Sequence, residues 1–378
     1  MKSIHKILFT LLMFVAAASM ITSCKKDSSA MPVINYIRVT NPLSSDSLLA
    51  SANQGQLIAI VGTNLQDARE VWFNDQQSRL TPTYISSTSI LVSVPSTIPD
   101  TVSNTLTIVF ANGYKLKHAF TVDISKPSLN SMTCEFVNAG DVATIIGNYF
   151  YEPLTVTFTG GATGEIVSVE DGVLQFKVPA NAQPGPITVK TNFGVRESDF
   201  WFRDPRNQFI TSDPYEGWHE EALVVTDPGP GDPPKISGNY IRVNKKLASW
   251  SWNEIADGPA SAMPHHSKNI PDDAILHPDK YYLKFEINTL KPYNNGMIRI
   301  NAGTSVQDAV NYQWAPPYDS KGKWQTVVIP YEEVFNSYSV KPVVNPDGYW
   351  AMLLMQGPGD LDADICFDSF RIVPKTNK

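Results

Sequence analysis

The stretch Ile60-Val61-Gly62-Thr63-Asn64-Leu65 returns at an offset of 85 residues as Ile145-Ile146-Gly147-Asn148-Tyr149-Phe150. Val71-Trp72-Phe73 answers Val156-Thr157-Phe158 at the same offset. Ile90-Leu91-Val92-Ser93-Val94-Pro95 answers Leu174-Gln175-Phe176-Lys177-Val178-Pro179 at 84, and Asn112-Gly113 answers Phe193-Gly194 at 81. An offset that drifts so little means two copies of one strand order whose loops differ in length. The glycine closing each apolar run suits a tight turn with φ > 0, and the Val-Pro endings let proline stop the strand ladder.

Outward from this repeat the chain reads as β throughout. Helical periodicity is scarce, and short β-branched or aromatic runs alternate with Asn-Gly, Pro-Gly, Asp-Gly and Gly-Gly, the pattern of all-β sandwiches. Examples are Leu57–Val61, Thr105–Phe110, Ile187–Lys190, Tyr281–Ile287, Trp324–Pro330 and Asp364–Ile372. Many of the 28 prolines fall between such runs, where a missing N–H is tolerated. Beyond residue 204 the composition shifts. Six of the eight tryptophans lie there: Trp218, Trp250, Trp252, Trp314, Trp324 and Trp350. Asp227–Pro234 is too rich in Pro and Gly for regular structure and reads as a loop inside this last part.

Charge and motif content exclude several functions. The formal charge is −7 and grows more negative once a leader carrying Lys2 and Lys6 leaves. With no cluster of Lys and Arg, nothing offers electrostatic purchase on nucleic acid. A neutral ligand fits better. No cofactor is expected. The histidines lack metal-ligand spacing, and Asp360, Asp362, Asp364 and Asp368 read as loop carboxylates rather than a calcium site. Cys134 and Cys366 read as buried apolar residues in different domains. No nucleophile elbow, Walker loop or dinucleotide fingerprint is present.

At the N-terminus, Lys2 and Lys6 precede an apolar run from Ile7 to Ile21 and then Thr22-Ser23-Cys24, a secretory leader too short to span a bilayer. Ile21-Thr22-Ser23-Cys24 resembles the lipobox of bacterial lipoproteins, which implies lipidation at Cys24 and an anchor of two or three acyl chains. Lys25-Lys26-Asp27 resembles the signal that sends Bacteroidetes lipoproteins to the outer face of the outer membrane.

The repeat itself resembles the IPT/TIG immunoglobulin-like domain: an apolar strand, Gly-x-Asn/Tyr with an aliphatic or aromatic residue, Val-x-Phe, then Val-Pro. The last part is similar to the jelly-roll sandwich of carbohydrate-binding modules. The fold expected is therefore all-β, with tandem IPT/TIG sandwiches followed by a larger jelly-roll-like β-sandwich. The expected divisions are a leader 1–23, a tether 24–31, sandwiches 32–124 and 125–203, and a C-terminal domain 204–378. The whole arrangement resembles the surface glycan-binding lipoproteins of Bacteroidetes polysaccharide-utilisation systems. That resemblance implies non-catalytic capture of a neutral β-glucan, with an outer-membrane transporter and a companion binding lipoprotein as partners. A surface glycoside hydrolase, and an adhesin gripping a host protein through its Ig-like copies, are the alternatives.

Sugar rings offer C–H faces that stack on aromatic rings, while amides and carboxylates fix orientation. Trp250-Ser251-Trp252, read as a strand, would place two indoles on one face about 6.6 Å apart. Trp218 sits in a polar setting with few apolar neighbours. Tyr312 and Trp314 flank a Pro-rich turn that suggests a cleft wall. These five are the candidate glycan contacts. Trp324, Trp350, Trp72 and Trp201 read as packing residues.

Overall fold

The computed structural model describes residues 31–44, 46–218, 221–303, 312–315 and 317–376. The leader, Cys24 and nearly all of the tether lie outside them. The contacts divide the chain into two compact units, Met1–Ile124 and Ser125–Lys378.

The first unit is a small sandwich. One sheet pairs Val33–Val39, Leu57–Thr63 and Ser89–Ser93; the other pairs Gln76–Ser78, Ala68–Phe73, Thr105–Phe110 and Lys115–Ala119. Alternation along these strands sends Ile58, Ile60, Val71, Phe73, Leu106 and Ile108 into one core. The second unit opens with the same strand order. Ser128–Met132, Val142–Asn148 and Val173–Lys177 repeat the first sheet, and Thr155–Thr159, Gln183–Thr191 and Gly194–Phe202 repeat the second. The strand Thr163–Glu170 pairs with both halves and joins them.

The two repeat glycines serve a purpose other than the one their position suggests. A Cβ on Gly62 would lie 2.0 Å from the Val33 carbonyl oxygen, and one on Gly147 the same distance from that of Ser128. Close approach of the first strand therefore demands glycine at each site. The left-handed residues come two positions later, at Asn64 (φ 59°) and Tyr149 (φ 62°). Gly147→Ala is expected to destabilise the second unit by about 1–3 kcal/mol through overpacking, read as a lower denaturation midpoint.

The C-terminal domain stacks two sheets. Val224–Val225, Tyr240–Val243, Ile365–Pro374, Tyr281–Thr289 and Gln325–Pro330 form one, with Gln208–Ile210 also paired to Ile365–Pro374. Asn253–Gly258, Ala351–Gln356, Met297–Ala302 and Tyr312–Trp314 form the other. Between them lies the largest core, including Phe285, Ile287, Phe367, Phe370, Ile300 and Leu353.

A second contact region fastens this domain to the sandwich before it. Cys134 and Phe136, from the sandwich, share a small apolar cluster with Ile236, Tyr240, Trp324 and Cys366. The two cysteines are free and buried, and they meet in one cluster although they belong to different sandwiches. The Pro-rich loop contributes to the same region, where the Pro233 and Pro234 carbonyls accept hydrogen bonds from the Tyr240 hydroxyl (2.7 Å) and the Trp324 indole (2.9 Å). Beside them four charged side chains are almost completely enclosed. Glu135 meets Arg371 at 2.7 Å and Lys284 at 2.6 Å, and Arg371 also meets Glu286 at 2.8 Å.

Asp368 is not a loop carboxylate: it is buried within the strand Ile365–Pro374, where the Ser369 hydroxyl donates to it and burial pushes its pKa up, while the other three aspartates of this region pair with neighbours. Asp364 holds Arg242 through both oxygens, Asp362 pairs with Lys291 and Asp360 accepts the Ser249 N–H. Among the described residues, no group of three or more His, Cys, Asp or Glu is placed to hold a metal ion.

Candidate functional site

The four-stranded sheet of the C-terminal domain turns one face to the core. Ile298, Ile300 and Ala302, with Ala351, Leu353 and Met355, point inward. Alternation then puts Arg299, Asn301, Trp350, Met352, Leu354 and Gln356 on the outer face. Strand pairing arranges that face in rows. Glu254, Leu354, Arg299 and Gln313 lie side by side across the sheet. Asp257, Met352 and Asn301 make the neighbouring row.

Tryptophans mark this face along its length. Trp252 is 49% exposed, its indole N–H donates to the Glu254 carboxylate at 2.7 Å, and the Arg299 guanidinium sits 5.8 Å from its ring centre. The ring is thus edged by a carboxylate and a guanidinium, and Gln313 lies next to Arg299 on the adjoining strand. Partial burial holds the Arg299 pKa below its ordinary value.

Trp218, 56% exposed, comes from a loop clamped to the sheet edge. Its backbone N–H donates to the Asp257 carbonyl at 2.8 Å, and the Gly217 N–H donates to that of Ala262 at 3.2 Å. Gly217 (φ +112°) is needed here, because a Cβ would lie 2.4 Å from the Asp257 carbonyl oxygen. The carboxylate of Glu216 anchors the loop by accepting the His265 backbone N–H and meeting both histidine rings. The Trp218 ring stands edge-on to Trp350, centres 5.3 Å apart at 88°. From Trp350 to Leu354, in the row that carries Trp252, four residues of strand span about 13 Å.

Trp250 is 57% exposed, but Trp250-Ser251-Trp252 is not a strand. Trp250 lies in a turn with φ 58°; its N–H donates to the Gly357 carbonyl and its carbonyl accepts from the Gln356 side chain. The two indoles are therefore not successive side chains of one strand face, and the 6.6 Å spacing expected from strand geometry does not apply. Its backbone lies beside Gln356, the next outer-face residue after Leu354.

Tyr312 and Trp314 are corrections. Register pairs them with Ile300 and Ile298, which face the core. Trp314 is 8% exposed, stacked on Tyr293 (5.7 Å, 11°) and edge-on to Phe285. Tyr312 is half-buried against the same core, and burial pushes its hydroxyl pKa up. The residue between them, Gln313, is the one exposed on the outer face. Glu254, Arg299 and Gln313 escaped the sequence reading; the alternation Ile298-Arg299-Ile300 was the signal that marks them.

Asp257, Asn301, Met352 and Leu354 on this face are enclosed, so what meets solvent is Trp218, Trp252 and the polar side chains of the Glu254 row, which can stack flat apolar rings and exchange hydrogen bonds around their rims. Of the two carboxylates on the strand Asn253–Gly258, Glu254 is half-buried beside Trp252 and Asp257 is enclosed. Glycosidases set theirs on either side of the scissile bond.

A β-sandwich with exposed indoles, carried by Ig-like domains, is the build of modular binding proteins, and comparison with known proteins finds relatives of the same build. Residues 202–374 match the family model described as the surface glycan-binding protein B xyloglucan-binding domain, and residues 44–122 match the IPT/TIG domain. The C-terminal domain is thus similar to the surface glycan-binding protein B xyloglucan-binding domain, and an IPT/TIG-like domain precedes it. The fold is similar to that of the surface glycan-binding protein PbSGBP-B of Prevotella bryantii, with a TM-score of 0.67, 24% identity, and coverage of 92% of this chain and 100% of that one. It is also similar to SGBP-B from a complex xyloglucan utilization locus in Bacteroides uniformis, with a TM-score of 0.51, 19% identity, and coverage of 91% and 100%. An IPT/TIG domain-containing protein of Bacteroides ovatus is 33% identical over 165 residues, a match spanning 40% of this chain and 33% of that protein.

Proposed function

We propose that the outer face of the C-terminal four-stranded sheet binds a neutral β-linked glucan, with xyloglucan the leading substrate class, and does no chemistry on it. The observation that carries this reading is the exposure of Trp218 and Trp252 on one side of one sheet, with Glu254, Arg299 and Gln313 in the row beside Trp252. A glucan chain presents alternate apolar faces and hydroxyl rims, which the indoles and the polar row complement. The description of the matched family model and the origin of the Bacteroides uniformis neighbour support the choice of xyloglucan.

Electrophoresis through gels containing xyloglucan, mixed-linkage β-glucan, mannan or a sulfated glycan tests it. Retardation by the first or second, with no release of reducing sugar, is the expected result. Retardation by the sulfated glycan alone would contradict it. The same reading places the protein on the outer face of the outer membrane, tethered by acyl chains on Cys24, where an outer-membrane transporter and a companion binding lipoprotein would receive the glycan. Its support is the sequence around Cys24, and Cys24→Ala should move the protein from the membrane to the soluble fraction. A Cys24→Ala protein still held in the membrane would contradict the lipid anchor.

A further inference from the structure

The two sandwich copies act as controls for each other. At equivalent positions the first carries Asn64, Gln66 and Asn112, and the second carries Tyr149, Tyr151 and Phe193. The loops that carry Gln66 or Tyr151 and Asn112 or Phe193 differ in length, while the backbone matches at the repeat glycine and at the left-handed residue after it, Asn64 in one copy and Tyr149 in the other. Asparagine visits that region readily, whereas a bulky tyrosine there is strained. The fold therefore does not require aromatic residues at these places, and at one of them it works against its own backbone preference. Strain of this kind points to function.

In the second copy the three rings gather into one cluster. Tyr149 and Tyr151 have centres 6.3 Å apart, and Tyr151 and Phe193 meet edge-on at 5.5 Å. None belongs to the sandwich core, and Tyr149 is 45% exposed. Exposed Asn148, Asn192 and Asp171 flank the cluster in sequence or on the adjoining turn. Asp171 lies close enough to help burial and Tyr149 hold the Tyr151 hydroxyl pKa above its usual range. Aromatic rings bordered by amides and a carboxylate repeat the chemistry of the tryptophan face, within the same compact unit.

We propose that Tyr149, Tyr151 and Phe193 form a second sugar-stacking site, which takes the apolar face of a pyranose ring from the same neutral polysaccharide chain. The ligand class rests on the function proposed above. Two contacts on one unit would raise the retention of long chains well beyond that of short ones.

The test transplants the first copy's residues: Tyr149→Asn, Tyr151→Gln and Phe193→Asn together in the full chain. The expected variant melts no lower than the wild type and binds xyloglucan oligosaccharides unchanged in calorimetry. Its retention by polymeric xyloglucan in affinity gels falls by about tenfold or more. Unchanged retention overturns the proposal, and so does a lowered melting temperature, which would make the cluster a packing feature. A Trp218→Ala/Trp252→Ala chain measured alongside separates the two readings. If it keeps oligosaccharide affinity, the tryptophan-face reading fails independently of the tyrosine cluster. A wild type retarded by no neutral glucan removes the ligand class and the proposal with it.

Discussion

Arg371→Met is expected to destabilise the 125–378 unit by about 3–5 kcal/mol. The guanidinium is fully buried and bridges Glu135 of the sandwich to Glu286 of the C-terminal domain at 2.7 and 2.8 Å. It also donates to the Ser369 carbonyl and lies 5.0 Å from the Phe136 ring centre. Burying such charges is tolerable only because each has its counterpart. Lys284 satisfies the second oxygen of Glu135, and Thr326 donates to Glu286 at 2.6 Å. Methionine fills much of the space and removes the charge, which leaves Lys284 alone against two enclosed carboxylates. Burial already pushes the Glu286 pKa up, with Arg371 as the main opposing influence. Removing that influence drives Glu286 further towards its protonated form. Denaturant titration would show the loss as a fall in midpoint, and an unchanged midpoint would show that the cluster is not enclosed as described. Replacing Glu135, Lys284, Glu286 and Arg371 together by apolar residues should cost far less than the single change.

The second large effect is on binding. Trp252→Ala and Trp218→Ala should each weaken glycan binding by about 1–3 kcal/mol, by analogy with bases stacked on aromatic side chains. Trp252→Ala should be the more damaging of the two. It removes the ring that fixes the Glu254 carboxylate at 2.7 Å and shields Arg299, so the polar row loses its order as well. The two rings share no contact given by the structure, so their effects should add. Trp218→Phe should keep most of the affinity, since a flat ring remains, whereas Trp252→Phe keeps the stacking surface but loses the hold on Glu254 and should fall between wild type and Trp252→Ala. Calorimetric titration measures both. Equal loss from Phe and Ala would mean that the indole N–H, rather than stacking, dominates.

Much of the fold could be read from the repeat alone, because apolar alternation and Val-Pro endings reflect local physics. The exposure of Trp218 and Trp252 could also be inferred, from the polar residues around each. The misreadings share a cause: they depend on partners distant in sequence. Trp250 and Trp252 have strand spacing, yet a hydrogen bond to Gly357 folds Trp250 into a turn. Trp314 borders a Pro-rich segment that suggests exposure, yet its pairing with Ile298 aims it at the core. Distance in sequence also hides the enclosed charges, Lys284, Glu286 and Arg371, which lie on one side of two strands. That face is covered by Glu135 and its neighbours from another sandwich, over a separation of up to 236 residues. Strand alternation separates the two faces of a sheet; it does not show which of them meets water.

A crystal structure of the chain with a xyloglucan oligosaccharide tests the central claim most directly. The prediction is sugar rings stacked on Trp252 and Trp218, with Glu254, Arg299 or Gln313 within hydrogen-bonding distance of their hydroxyls. Sugar bound elsewhere on the C-terminal domain, with both indoles bare, would contradict it.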